Sequence, residues 1–469
     1  MTSVGINETR PVRSGGQDRP RRSVGFWALV LVIGGLIANL GFNLYLGSRG
    51  LGAPFNSTLF GHEFNTFLYE PRDRFADLLK MAMSYPGGAI QPVDPWWGLD
   101  ARLDLFRRQL VKFEGTPLNH FHMLPLSTLA GLTFRASLSV VHPGLLVVIA
   151  IGTAAAALAV VVSQAAPKGL SRLWFGMLAL ACYPALFAFD RGHMFALTCG
   201  ICLIAAIART FRLRHPDWLT MLFFTVAINI RPHAALIPLA FFLFSLRWRF
   251  RDLAVLGIGC GGLFLICMAI ANAIYPAYDF ASFLKGLDDY SKLHFVRDFG
   301  QAYNSSLFGA LRALFGFSQW TYAIPLYVVL GLVVATWAMV KRSPSPPPPA
   351  VLVYLALAGY ALGSQVFLDY HLLVFLAPLV LLARDGAGGR AMRRTVMIGC
   401  CLVLMPKNFI YHSAGGVADW SWQVVFNPAI LLITSAYLLS RGFAMARIAE
   451  EVETKAAEPP PGSPAAIVA

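Results

Sequence analysis

The sequence predicts an all-α integral membrane protein. It should have about 12 transmembrane helices (11–13) and a large first extracytoplasmic loop containing amphipathic helices. Three observations predict it. Of 469 residues, 57% are hydrophobic and 13% charged, with a mean hydropathy of +0.60, a balance outside the soluble globular range. The apolar runs have the length of helices rather than of barrel strands. Lys and Arg concentrate in short loops between the runs, which is the positive-inside pattern. The net charge of +14 therefore reports topology. A nucleic-acid partner is excluded because basic clusters of the required kind are missing.

Residues 1–23 are polar and rich in Arg and read as a disordered cytoplasmic tail. The run from Val24 is too long for a signal-peptide core and lacks a small-residue cleavage site, so it is a retained helix. Residues 48–121 form the one large hydrophilic block between spans, and a loop of this length is usually functional. Within it, LDARLDLFRRQLVKF has apolar residues at helical spacing and should lie on the membrane surface. Further spans follow at about 139–165, 172–189, 193–209, 217–230, 232–246, 252–275, 319–340, 350–368, 370–384, 394–411 and 424–440.

The basic or Pro-rich loops PKGLSR, RTFRLRHPD, RWRFRD, KRSPSPPPP and ARDGAGGRAMRR should all be cytoplasmic. Parity is satisfied if 122–134 does not cross. The loops 48–121 and 276–318 then lie outside, and the Pro-rich linker 341–349 lies inside as a semi-rigid spacer. The domain spans 24–440, and residues 441–469 read as a second disordered cytoplasmic tail. The cysteines all lie in apolar runs and read as small buried apolar residues rather than a disulfide framework.

With this orientation, ionisable groups collect on the outer face. They are Asp73 and Asp77 in the first loop, Asp190, Arg191 and His193 between two spans, Arg231 and His233 flanking Pro232, and Asp369 and His371. His412 is a weaker member. Such groups near lipid are costly and functional by default. Carboxylates facing several cations at a membrane surface suit transfer of a group from a lipid-linked phosphate. A carboxylate serves as general base for an acceptor hydroxyl, and Arg and His donors stabilise the charge that develops on the departing phosphate. No cofactor or metal is called for.

The bland readings stand beside these. Asp73 and Asp77 could solvate a loop. Asp190 and Arg191 could be a structural ion pair. Arg231 and His233 could snorkel to the interface. His371 could hydrogen-bond across helices. Tyr303 and Asn304 could cap the helix that follows.

The ordered motifs DRFAD (73–77), HMLPLSTLAGL (122–132), DRGHMFAL (190–197), IRPHAALIPLAFFL (230–243), YNSSLFGALRALFG (303–316) and FLDYHLLVFLAPLVLL (367–382) resemble the GT-C class of polytopic glycosyltransferases. Within it they are similar to glycosyltransferase family 87, the polyprenyl-phosphate-mannose-dependent type. The resemblance implies a hexosyltransferase of the cell membrane with its site on the extracytoplasmic face. Its partners would be a polyprenyl-phosphate-linked sugar, mannose on the family pattern, and a lipid or glycan acceptor. It places the general base on Asp77 or on Asp73, one helical turn earlier. Donor-phosphate contacts fall to Arg231, His233, Arg191 and His193, and substrate contacts to Asp190, Tyr303, Asn304, Asp369 and His371. DRGH stands where the family has a Gln/Asn-type helix start, and Arg231 where Lys is common. A secondary transporter or lipid-linked-sugar flippase is the competing class.

Overall fold

The computed structural model describes residues 24–48, 124–138, 141, 143–213, 215–244, 246–296, 304–316, 318–343, 347–384, 389–406, 411–414, 417–421 and 423–457. The predicted tail 1–23 and nearly all of the 48–121 loop lie outside the described residues. The helices are α1 (Val24–Ser48), α2 (Pro125–Leu138), α3 (Pro143–Ala165), α4 (Leu170–Ala181), α5 (Tyr183–Arg191), α6 (Met194–Thr210), α7 (Trp218–Ile230) and α8 (Leu236–Leu243). They continue with α9 (Phe250–Ile274), α10 (Phe280–Val296), α11 (Leu307–Phe315), α12 (Gln319–Arg342), α13 (Pro349–Gly363), α14 (Leu376–Arg384), α15 (Arg390–Leu404) and α16 (Gln423–Ala457). Short 3₁₀ helices at Pro232–Ala235 and Asp369–Phe375 precede α8 and α14. Among the described residues the exception to helix is one hairpin, β1 (Tyr411–Ala414) antiparallel to β2 (Val417–Ser421), with Tyr411 opposite Ser421.

Among the described residues, five helices are long and apolar enough to cross a membrane, or six if the bent pair α4–α5 is one span. This is the build of a membrane protein. The outer helices expose large apolar side chains: Ile258 on α9 is 76% exposed, Leu326 on α12 68% and Ile433 on α16 71%. In water that would be untenable, but against hydrocarbon it costs nothing. By contrast α13 and α14 are buried almost all round, as an apolar helix must be when it is the core of the bundle. The elements α6, α8, α11, α12, α15 and α16 pack around this central pillar. Small residues set several of the close approaches. A Cβ on Gly399 of α15 would lie 2.8 Å from Tyr354 Oη and from Thr434 Cγ2, and one on Gly200 of α6 would lie 2.9 Å from Leu373. Helices in lipid gain from such contacts because no hydrophobic force drives them together.

Two predicted spans are interrupted. The run 172–189 breaks at Cys182, where ψ of 145° leaves the helix before Pro184, and its halves meet at 49°. The run 350–368 leaves the helix after Gly363 and continues non-helical, through a bend at Gln365, to Leu368. The stretch 276–318, expected as an outer loop, contains α10 and α11. The expected disordered tail from 441 is corrected at its start, since α16 runs on to Ala457. Its sequence RIAEEVETKAA is rich in strong helix formers, and Arg447 pairs with Glu451 one turn on at 3.1 Å.

The turn from α6 to α7 is closed by Asp217, which caps α7 by accepting Thr220 N–H at 2.9 Å and takes both Nε and Nη2 of Arg209. Partial burial works against its charge, but the hydrogen bonds from Arg209 and Thr220 outweigh it and hold the carboxyl down from 3.8 to about 2. Because the folded value is depressed, the stabilisation is complete above the unfolded pKa and disappears as pH falls from 3.8 through about 2. Asp217→Asn is expected to cost ~1 kcal/mol at neutral pH through the weakened cap and lost ion pair. Acid titration of stability should show wild type and variant converging below that window, and parallel curves would refute it.

Candidate functional site at the ends of the broken helices

The helix interruptions gather at one end of the bundle. Gly192, with φ of 65°, closes α5 in the left-handed region, and His193 then caps α6 by accepting Ala196 N–H on Nδ1 at 3.1 Å. That bond places the proton of a neutral His193 ring on Nε2. Arg231 is extended, with φ of −141°, between α7 and Pro232. The segment 364–368 is non-helical before the 3₁₀ turn, with a bend at Gln365. Non-helical backbone at this depth must find partners inside the protein, and here the motif around Asn304 supplies them. Asn304 Nδ2 donates to Gln365 O at 2.9 Å, its Oδ1 accepts Phe367 N–H at 2.9 Å, and Ser305 N–H donates to Phe367 O at 2.7 Å. Two stretches sixty residues apart in the chain are thus zipped together by groups that imitate a strand pair.

The capping role expected of Asn304 falls instead to Ser306, whose Oγ accepts Gly309 N–H at 3.0 Å. Gly309 is needed there because a Cβ would fall 2.8 Å from Asn304 Cγ and closer still to its carbonyl oxygen. Gly309→Ala is therefore expected to destabilise by ~1–3 kcal/mol through overpacking, despite alanine's better helix propensity. An unchanged denaturation midpoint in mild detergent would contradict that packing.

Behind this zipper lies a sealed polar cluster. Asp369, Ser305, Gln423, Asn427 and Tyr183 all have zero exposure. Tyr183 Oη donates to Asp369 Oδ2 at 2.8 Å, and Ser305 Oγ donates to Oδ1. Gln423 Nε2 reaches both Oδ2 and, at 2.8 Å, Tyr183 Oη. Asn427 Nδ2 donates to Ser305 Oγ at 2.7 Å and approaches Asp369 Oδ1 at 3.5 Å. Four side-chain donors from three separate parts of the chain converge on one carboxyl, matching the acceptor capacity of an ionised carboxylate. With no accessible surface, Asp369 holds α5, α16 and the 304–306 segment together.

In front of the cluster stand rings and cations. Arg191 lies over the Phe187 ring at 5.5 Å. Phe187 packs on Tyr370 at 5.8 Å, and Tyr370 on His193 at 4.2 Å and on His371 at 4.5 Å between centroids. His193 and His371 rings are 6.3 Å apart. Arg231 points inward, donating to Val366 O at 3.4 Å, and His371, Tyr360 and Cys199 are among the groups its charge acts on. Its geometry therefore is not that of a side chain snorkelling out to the interface. His233 is exposed as a residue, but with Arg231 and His193 it is one of the cationic groups that act on buried His371. His371 is 3% exposed, and its Nε2 has no hydrogen-bond partner among the described residues. Buried polar atoms are rarely left so.

Of the groups singled out in the sequence, Arg191, His193, Arg231, His233, Asn304, Asp369 and His371 thus share one end of the bundle. Asp190 lies in the last turn of α5 at the same end, half-buried. Asp73, Asp77 and Tyr303 lie outside the described residues, as does the side chain of His412. Tyr183, Gln423 and Asn427 were missed. The readable signal for the last two was a pair of amides at i and i+4, on one face, opening an apolar run. All the cysteines are free, as expected. No protein-family model, curated protein or solved structure matches this chain, so the functional reading rests on the residues and their geometry.

Proposed function

We propose that the chain is a multi-pass transferase of the cell membrane that moves a hexose, on the family resemblance mannose, from a polyprenyl-phosphate donor to a lipid or glycan hydroxyl on the extracytoplasmic side. The reading takes about 12 of the helical passages as membrane spans and the end bearing the basic loops as cytoplasmic. One observation carries it. A buried imidazole nitrogen on His371, with no hydrogen-bond partner among the described residues, is faced by Arg231 and His193 where the helices break. A donor phosphate arriving there would supply the missing acceptor and meet the guanidinium.

In this mechanism Asp77 or Asp73 takes the proton of the acceptor hydroxyl as its oxygen attacks the anomeric carbon. The bond from that carbon to the phosphate oxygen breaks with inversion. Negative charge grows on the leaving phosphate, where Arg231 and the imidazoles are worth most. The test uses purified protein, polyprenyl-phospho-mannose and a membrane lipid extract. Replacing the base, by Asp77→Asn or Asp73→Asn, is expected to lower transfer by ~10²–10⁴-fold. Normal transfer by both variants would remove the first loop from the chemistry. Broken helices also suit a transporter or flippase. Uptake by proteoliposomes without any transfer would favour that class.

A further inference from the structure

Opposite the site, the same helices end in a concentration of arginine. Arg172 lies in the first turn of α4, Arg209 and Arg212 at the end of α6, and Arg384 at the end of α14. Arg212 Nη2 donates to Gln164 O on α3, and Arg384 Nη1 to Ala208 O on α6 at 3.4 Å. The cations acting on Arg212 are Arg384, Arg172 and Arg209. Two acids of this end are already committed: Asp217 to Arg209 and Thr220, and Asp252 to the Arg249 N–H at 2.9 Å, capping α9. Arg172, Arg212 and Arg384 remain without an acid partner among the described residues. Each guanidinium carries five donors, and the protein uses few of them.

Beside this cluster runs an apolar track. Leu170, Leu173, Met177 and Leu180 recur at spacings of three and four along α4, exposed at 70%, 54%, 43% and 37%, so they form one face. It starts at Arg172 and leads away along the bundle. A cationic head site at the end of an exposed apolar stripe is the complement of a phospholipid. A soluble anion would have no use for the stripe. The cluster lies ~25 Å from His193 along α6, so it is separate from the site described above and does not depend on its function.

We propose that Arg172, Arg212 and Arg384 form a binding site for the phosphate head group of an anionic phospholipid, whose acyl chain lies on the exposed face of α4.

The experiment is native mass spectrometry of the full chain in mild detergent, titrated separately with phosphatidylglycerol, phosphatidylcholine and inorganic phosphate. Phosphatidylglycerol is expected to bind about tenfold more tightly than phosphatidylcholine. Arg172→Gln and Arg212→Gln should each weaken it about fivefold, while Arg441→Gln, on the exposed part of α16, should leave it unchanged. Arg172 donates no side-chain hydrogen bond among the described residues, so its variant should fold even if loss of the Gln164 contact disables Arg212→Gln. Equal phosphatidylglycerol binding by wild type and Arg172→Gln would overturn the site. Binding of inorganic phosphate with no preference for phosphatidylglycerol would overturn its assignment to lipid.

Discussion

Replacing Asp369 by alanine is expected to destabilise the folded protein by ~3–5 kcal/mol, the largest loss from any single side chain described above. The carboxyl is the common acceptor for Tyr183, Ser305, Gln423 and Asn427. Its removal strands the Tyr183 and Ser305 hydroxyls in a region with zero exposure, where an unsatisfied polar group costs ~1–3 kcal/mol, while Gln423 and Asn427 each keep one partner. Asp369→Asn should lose less, because one carbonyl oxygen survives while the new amide presents hydrogens to other donors. Reversible denaturation in mild detergent measures both. A double-mutant cycle with Tyr183→Phe should return a coupling of ~0.5–3 kcal/mol. Additive losses, or an alanine variant as stable as wild type, would show that the cluster is not knit through Asp369.

Arg231→Ala is expected to act on turnover and spare stability. Among the described residues the side chain makes one long hydrogen bond, 3.4 Å to Val366 O, so its loss should cost under ~1 kcal/mol in folding. If the guanidinium receives the charge of a departing lipid phosphate, its removal should slow transfer by ~10²–10³-fold, mostly in kcat. Arg231→Lys should recover part of this, since lysine supplies the charge but not the planar fork. A fall in transfer matched by an equal fall in stability would assign Arg231 a structural role. Unchanged transfer would remove it from the donor site.

Local patterns were enough to find most helices. Apolar runs between basic loops gave spans that agree with the helices within a few residues for α1, α6, α7, α9 and α12. The failures have particular causes. Cys182 lies in a continuous apolar run, and the break there is signalled only by Pro184, which a helix tolerates in its first turn. The non-helical stretch after Gly363 carries no breaker until its backbone is seen bonded to Asn304 and Ser305. The tail after 441 was taken as disordered on its charge and proline content, yet its first part has the composition of a helix.

For the candidate site, the sequence marked ionisable groups in apolar surroundings, and seven of them, Asp190, Arg191, His193, Arg231, His233, Asp369 and His371, do come to one end of the bundle. It could not rank them. Asp369 and His371 stand two residues apart in one motif, and both looked like ligand contacts. Only the packed structure separates a carboxyl saturated by four donors from an imidazole nitrogen left without a partner among the described residues.

Composition and span length by themselves determined that this is a helical protein of the membrane type. Those properties depend on transfer of each segment from water to hydrocarbon, a local quantity summed along the chain. Which polar groups satisfy one another was decided only by tertiary structure. Tyr183, Ser305, Asp369 and Gln423 are separated by up to 240 residues, and hydrogen bonds depend on angstrom-scale distances that no one-dimensional pattern encodes.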